Sequence, residues 1–387
     1  MNIGIVNCAR SDYGIYLPLQ KRIQAHSRLQ LRIYVTGMHL SPEFGLTVNM
    51  FSEDGFEVYE RIEMLLSSDT PEGIAKSMGL GAIGFGQSFS KSRPDLLIIM
   101  GDRFEMHAAV VAALPFNIPI AHIHGGESTE GLIDEAIRHS ISKMSHLHFP
   151  STEVYAERIR QMGEEDWRIA VVGAPGLDNI REMELFSKEE TARKFEFDLA
   201  RPVALVTFHP VTLEYEQNQT YISKLLAALK EFDIQYLFTY PNADTSGRVI
   251  IDHIRKFCDQ HKGASVVQNA TQRGYLSLLS VVDCMIGNSS SGIIEAATFR
   301  LPVVNVGNRQ RGRIHGANVV DCAHDTHDIV KALRKVMTVD FQESLNNLEN
   351  PYGDGRASEK IVEYLEEMKI DRNLLLKRFV DRPVRRN

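Results

Sequence analysis

The chain has 387 residues, enough for about two domains. Its 43% hydrophobic and 24% charged content is ordinary for a globular protein. A formal net charge of −7 argues against a general nucleic-acid or anionic-membrane surface. The longest apolar runs fall well short of the ~18 residues a membrane helix needs. Met1–Cys8 enters a strand pattern directly, without a basic-plus-apolar leader. Cys8, Cys258, Cys284 and Cys322 form no C-x-x-C pair, and two of them fall in apolar runs, which fits reduced core residues in a reducing compartment. A cytoplasmic location is expected.

In chain order, Ile3–Cys8 reads as a first strand and Ala9–Gly14 as the turn into a helix over Ile15–Ala25. Leu31–Val35 is a second strand, ending at Thr36-Gly37-Met38-His39. Gly79-x-Gly81-x-x-Gly84 matches a dinucleotide fingerprint by letters alone. It follows a helical segment, whereas the fingerprint must follow a strand, so close helix packing is the better account. The apolar run Leu96–Met100, bounded by Pro94 and Gly101, suits a buried parallel strand. A second run, Ile118–Ile123, ends at His124-Gly125-Gly126-Glu127. Ser151 and Thr152 cap a helix ending at Met162-Gly163, and Ile169–Val172 is expected as the last strand of this half.

Gly173–Gly176 marks the crossover to a second domain. There, strands are expected at Val203–Phe208, Gln235–Thr239, Val266–Val267, Asp283–Ile286 and Pro302–Val306, with helices at Tyr221–Glu231, Val249–His261, Tyr275–Val281 and Ile293–Phe299. A terminal helix runs from about Arg356 to Met368. The tail from Asp371 gathers Arg372, Lys377, Arg378, Arg382, Arg385 and Arg386 and reads as a solvated segment. Repeated strand–helix alternation implies parallel sheets with helices on both faces. The expected organisation is residues 1–172, 173–355 and a C-terminal helix and tail over 356–387.

In open α/β sheets ligands bind outside the carboxyl ends of strands. Asp102, Arg103, His124 and Glu127 sit at such ends, and Asp134, Arg138 and His139 open the helix that follows. That load of acid, base and cation looks like a reaction centre. Asp102 is either a buried acid with a raised pKa or a helix cap. His122 and His124, two residues apart, are read as pointing to opposite sides, so that one reaches the site. Asp134 and Arg138, spaced i,i+4, also fit a structural helix pair. No zinc-type spacing occurs, and no obligatory metal or other cofactor is expected.

Gly287-Asn288-Ser289-Ser290-Ser291-Gly292 follows a strand and opens a helix, which suits a phosphate at the positive helix end. It lacks a Walker lysine. Glu295, one turn on, suits ribose hydroxyls. Arg309, Arg311 and Arg313 form a plausible anion clamp, and Arg10 ends the first strand. His209 ends a strand of the second domain, where a cap is the plainer reading. Together these groups suit a nucleotide diphosphate.

ARSDYG, VTGMHLSPEFG, MGDRFE, HIHGGE, DEAIRHSISKMSHLHF, PNAD, GNSSSGIIEA and NVGNRQRGR, spread from Arg10 to Arg313, resemble the hydrolysing UDP-N-acetylglucosamine 2-epimerases of nonulosonate (sialic- and legionaminic-acid-type) biosynthesis. The resemblance implies two Rossmann-like domains facing across a cleft, as in B-type glycosyltransferases, with a C-terminal helix returning to the first. It implies anti elimination of UDP to a 2-acetamidoglucal, then hydration to a free N-acetylmannosamine-type sugar. The substrate implied is UDP-N-acetylglucosamine; the alternative is UDP-2,4-diacetamido-2,4,6-trideoxyglucose. Less favoured are a non-hydrolysing 2-epimerase and a glycosyltransferase. By motif match Asp102, His124, Asp134 and His209 form the acid–base set, with Glu127 competing with His124 because some branches carry Glu at that position. Arg10, Asp12, His39, Arg103, Arg138 and Arg309 would contact sugar or diphosphate, Asn288, Ser289, Ser290, Ser291 and Gly292 phosphate, and Glu295 ribose. The partners implied are a UDP-sugar, UDP and further copies of the chain in a homodimer or homotetramer, with no nucleic acid and no membrane.

Overall fold

The structure is a computed structural model that describes residues 1–66, 70–128, 133–240, 247–267 and 270–383. The PNAD motif (241–244), Arg385 and Arg386 lie outside them. The chain divides into two compact units, Met1–Asn179 with Tyr352–Asn387, and Ile180–Pro351.

The first unit holds six parallel strands: β1 (Asn2–Asn7), β2 (Gln30–Thr36), β3 (Val58–Ile62), β4 (Leu96–Met100), β5 (Ile120–Ile123) and β6 (Leu147–Phe149), in the order β3-β2-β1-β4-β5-β6. That order reverses between β1 and β4, the switch point of a Rossmann sheet. β4 and β5 are buried along their whole length, as continuous apolar runs require of central parallel strands. The helix after β1 begins at Arg10 rather than Ile15, so ARSD is its first turn. Pro18 lies inside this helix and cannot donate to the Gly14 carbonyl; Asn179 Nδ2 does so instead, at 2.9 Å.

The glycines of the rejected fingerprint lie within the helix Pro71–Lys91, capped by Thr70. A Cβ on Gly81 would stand 2.7 Å from the Met64 methyl and 2.9 Å from Ala108 Cβ, and one on Gly84 2.7 Å from Ile62 Cγ2. Close packing explains both. The C-terminal helix Ala357–Glu367 returns to this unit, where Ile361 and Leu365 join the core around β1 and β4. Asp178 caps it, accepting from Ala357 N (2.9 Å) and Ser358 N (2.6 Å).

Two expectations fail in this unit. Ile169–Val172 makes only an isolated bridge to His148. β6 ends at Pro150, which has no N–H to continue a ladder. The basic tail is not simply solvated. Lys377 Nζ, its pKa lowered by burial, lies 2.9 Å from Glu164, and Arg382 bonds Asp166 at 3.0 Å. The fully buried Arg168 donates to the carbonyls of Asn373, Leu374 and Leu376, fastening the tail to the unit.

The second unit repeats the plan with β7 (Val203–Thr207), β8 (Gln235–Thr239), β9 (Ala264–Val267), β10 (Cys284–Gly287), β11 (Val303–Val306) and β12 (Val319–Cys322), all parallel, in the order β12-β11-β10-β7-β8-β9. Its core joins Val206, Phe238, Ile286, Val304 and Leu333. The switch point falls between β7 and β10, so the loops carrying His209 and GNSSSG are neighbours.

Candidate active site

In the first unit the groups converge after β4 and β5. Gly101 turns the chain out of β4 with φ +72°, and Asp102 follows. β5 stops at Ile123, and His124 takes φ +61°, an uncommon left-handed conformation for a residue with a Cβ. Gly126 is also left-handed, and a Cβ there would stand against the Tyr155 carbonyl oxygen.

Arg138, from the helix Ile133–Met144, ties the two loops together. It is buried, pairs with the Asp102 carboxylate and donates to the His124 carbonyl at 2.9 Å. It therefore pairs with Asp102 on another element and joins the loops after β4 and β5. Asp134, four residues earlier, has its pKa raised, first by burial and then by the charge of Asp102, with Arg138 and Arg103 opposing.

His124 and Glu127 act as a unit. His124 Nδ1 lies 2.7 Å from Glu127 Oε1, and Ser151 Oγ donates to the same oxygen at 2.9 Å. Glu127 is 3% exposed, so the imidazole is the outer member and the carboxylate its support. His122 is fully buried between the Gly101 carbonyl (2.8 Å) and Ser142 Oγ (3.0 Å), and burial lowers its pKa to about 3. Residues two apart in a strand share a face. These two part because the strand ends between them and His124 turns left-handed, not because alternation opposes them.

Beside this cluster, Arg103 donates to the fully buried Glu105 at 2.9 and 3.2 Å and reaches Met38 Sδ at 3.5 Å. Gly37 (φ +59°) makes room, since a Cβ there would lie 2.9 Å from Glu105 Oε1. His39 is buried, bonds Thr47 Oγ1 at 2.7 Å, and is held to a pKa of about 4 by burial. Asp12 is also buried and accepts from Cys8 Sγ at 2.8 Å; burial raises its pKa. It faces the interior, against the expected ligand role, because it lies one turn after Cys8 on the core side of its helix. Arg10 is exposed at the first helical position.

In the second unit, Gly287 (φ +137°) ends β10 against the β7 backbone; a Cβ would overlap the Thr207 carbonyl oxygen at 1.9 Å. Asn288 is fully buried. Its Oδ1 accepts from His209 N at 2.7 Å and its Nδ2 donates to His209 O at 2.9 Å. It thus locks the His209 loop to the GNSSSG turn, and its amide is spent on backbone instead of ligand. Ser289 caps the short helix Ser290–Ile294, accepting from Ser291 N at 3.3 Å. Ser290, at the first helical position, has no intrahelical acceptor for its N–H. Gly292 serves packing: a Cβ would meet Val303 Cγ1 at 3.0 Å. Arg309 Nη1 and Gln310 Nε2 both donate to the Asn288 carbonyl, at 3.0 and 2.9 Å. Burial, with Arg309 nearby, lowers His209 to about 4. Glu295 is half-buried at the C-terminal end of the short GNSSSG helix, rather than inside it.

Sequence reasoning missed Glu105, Ser151, Gln310 and Tyr275. The Tyr275 hydroxyl sits among Thr207, Ser289 and Ser291, and burial raises it to about 12, so it is a neutral donor at the turn. Glu105 lies within the quoted MGDRFE, but nothing in the letters distinguishes a buried ion-pair partner from a first-turn helix acid.

Two Rossmann-like sheets, each with chemistry-bearing loops at its strand ends, define an α/β protein of the B-type glycosyltransferase-like fold. The family model for UDP-N-acetylglucosamine 2-epimerase matches residues 21–366, and the chain belongs to that family. It is 38% identical over 383 residues to the GDP/UDP-N,N'-diacetylbacillosamine 2-epimerase (hydrolyzing) of Campylobacter jejuni, with 98% of each chain covered. It is 36% identical over 372 residues to the UDP-N,N'-diacetylbacillosamine 2-epimerase (hydrolyzing) of Legionella pneumophila, covering 96% of this chain and 97% of the relative. In fold it resembles the crystal structure of the UDP-GlcNAc 2-epimerase of Neisseria meningitidis bound to UDP-GlcNAc, with TM-score 0.83, 19% identity and 95% and 100% of the two chains covered.

Proposed function

We propose that the protein is a hydrolysing 2-epimerase whose substrate is a UDP-linked 2,4-diacetamido-2,4,6-trideoxyhexose, with UDP-N-acetylglucosamine the second choice. The observation that carries the hydrolysing 2-epimerase reading is the cluster Asp102–Arg138, Asp134 and His124–Glu127 at adjacent strand ends of one sheet. The choice of sugar is supported by the diacetamido-sugar 2-epimerases of Campylobacter and Legionella to which the chain is similar, and replaces the simpler sugar favoured by motif resemblance.

The C2 proton of such a sugar is weakly acidic, so C1–O cleavage must run ahead of its removal and the leaving diphosphate must be stabilised as it departs. The GNSSSG turn, Tyr275 and Arg309 take that role, and Asn288 holds the neutral His209 beside them. Elimination moves the C2 proton to an enzyme base and the C1–O electron pair to UDP. Hydration then returns a proton to C2 on the opposite face while water adds to C1, releasing the free 2-epimer. Two acid–base groups are therefore needed. Asp134, whose carboxyl burial and the charge of Asp102 hold above the usual carboxylate range, is one. His124, oriented by Glu127, is the other. Asp102, paired with Arg138, fixes the loop between them and sets the charge that Asp134 feels.

The test is turnover of the two UDP-sugars in parallel, read as UDP released and as free or nucleotide-linked product. Faster release of a free 2-epimer from the diacetamido sugar is expected. Preference for UDP-N-acetylglucosamine would return the assignment to that sugar, and turnover of neither would remove the activity.

A further inference from the structure

Glu105 is a fully buried carboxylate that the acid–base chemistry does not use. It lies in the first turn of the helix Phe104–Ala113, where the helix dipole favours an acid, but such an acid ordinarily faces water. Here it accepts from Arg103 instead, with Nη2 2.9 Å from Oε1 and Nε 3.2 Å from Oε2. Gly37, with φ +59°, leaves room for the carboxylate; a Cβ there would stand 2.9 Å from the same Oε1. A buried ion pair adds little net stability, because desolvating both charges offsets their attraction. What the pair does supply is geometry, since two parallel bonds fix the plane of a guanidinium.

One edge of that guanidinium is occupied. Nε and Nη2 face Glu105, and Nη2 also meets Met38 Sδ at 3.5 Å. Among the described residues Nη1 has no hydrogen-bond partner, and the Arg103 side chain is 33% exposed while that of Glu105 is 0%. This open edge belongs to the acid–base cluster. Arg103 follows Asp102 in the chain, the Asp102 carboxylate pairs with Arg138, and Arg138 stands one turn after Asp134 on its helix. After burial, Asp102 and Arg138, the charge of Arg103 is the next to act on Asp134.

Charge narrows what the open edge can take. Glu105 neutralises Arg103, and the buried Asp12 acts on it too, since Arg103 opposes the rise that burial gives the Asp12 carboxyl. Nη1 is thus a rigid N–H donor without surplus positive charge, which suits a neutral oxygen better than a diphosphate. Asp134 is one of the two groups given the C2 proton, so a donor beside it meets the substituent on C2. In both sugars considered above that substituent is an acetamido group. Building on the activity proposed above, we propose that the Nη1 edge of Arg103 receives the carbonyl oxygen of the C2 acetamido group, and that Glu105 is the positioning residue that holds it there.

The experiment compares the full-length protein with Arg103→Lys, Glu105→Gln, Glu105→Asp and the double variant Glu105→Gln/Arg103→Lys. Read-outs are kcat/KM for each UDP-sugar, the dissociation constants of UDP and of UDP-glucose, which carries a hydroxyl at C2, and the melting temperature. Arg103→Lys keeps a cation against Glu105 but loses the planar fork. It is expected to lower kcat/KM about 10- to 100-fold, by the same factor for every acetamido sugar the parent uses. Its dissociation constants for UDP and UDP-glucose should stay within about threefold of the parent's. Glu105→Gln should lose about 10-fold, and the double variant should be no worse than about twofold below Arg103→Lys, because the two residues act as one. Glu105→Asp keeps the buried charge while withdrawing the carboxylate, so it should fall as Glu105→Gln does.

An unchanged kcat/KM in Arg103→Lys overturns the contact. UDP weakened as much as the sugars would move Arg103 to the diphosphate, and UDP-glucose weakened as much would remove the acetamido group as its partner. Fully additive losses, or parent-like activity of Glu105→Asp, overturn the positioning role and leave Glu105 a matter of charge balance; Glu105→Asp decides this if Glu105→Gln melts early. A parent that turns over neither sugar sinks the activity itself. The contact is then read from the dissociation constants of the two UDP-sugars, which Arg103→Lys must raise about 10-fold or more relative to UDP; equal affinity overturns it.

Discussion

His124 Nδ1 and Glu127 Oε1 are 2.7 Å apart, and the carboxylate is the more deeply buried of the two. The relationship turns two competing candidates into one device, with the histidine as the acting group and the glutamate as its orienter. His124→Ala is expected to lower kcat by about 10²- to 10⁴-fold. Glu127→Gln, which leaves the ring in place with the wrong tautomer favoured, should also cost kcat heavily while changing KM little. Steady-state kinetics on both variants checks this. Near-normal turnover by His124→Ala with an inactive Glu127→Gln would reverse the roles.

Arg138→Met should unfold more easily by roughly 3–5 kcal/mol, because a buried cation is removed while the Asp102 carboxylate and the His124 carbonyl are left behind. The double variant Asp102→Asn/Arg138→Met is expected to recover part of that loss in urea unfolding but no activity. Equal instability of the two variants would show that the pair is not the source.

Asn288→Ala removes both bonds that hold the His209 backbone, which should cost about 1–3 kcal/mol. Since Asn288 carries the carbonyl gripped by Arg309 and Gln310, UDP binding is expected to weaken about 10-fold by calorimetry. Full UDP affinity in this variant would contradict the positioning role given to Asn288.

Stability should fall on acidification in two windows. His39 and His209 are held near 4 by burial, below their ordinary 6.5. Between pH 6.5 and about 4 only the unfolded chain takes up those protons, so their contribution is full above 6.5 and declines toward 4, by roughly 3 kcal/mol each at most. Glu164 is buried, and its partners His148, Lys143 and Lys377 hold it to about 2 against that burial. Its contribution is present above about 4.5 and lost as pH falls toward 2. Glu164→Gln should flatten the lower window. An unaltered melting profile below pH 4.5 in that variant would contradict the assignment.

The interior of both sheets was legible because β4, β5, β7 and β10 are buried on both faces and therefore spelled by unbroken apolar runs. β3 and β12 went unassigned for the opposite reason. They are edge strands with half their residues toward solvent, and Val-Tyr-Glu-Arg-Ile has no apolar run to read. The site residues were found as letters at strand ends, but their division of labour was not. Nothing local says that Arg138 spans to Asp102, that Asn288 clamps His209, or that Asp12 turns inward to Cys8. Those facts depend on which loops the sheet order makes neighbours. The tail misled because its basic composition suits water as well as it suits a buried Glu164.

The most direct test of elimination followed by hydration is proton NMR of the reaction run in D2O with the UDP-linked diacetamido sugar. The account predicts free UDP, a free 2-epimeric sugar and deuterium at C2, because the proton returned on the opposite face comes from solvent. A nucleotide-linked product, or a free product that retains the original proton at C2, would contradict it.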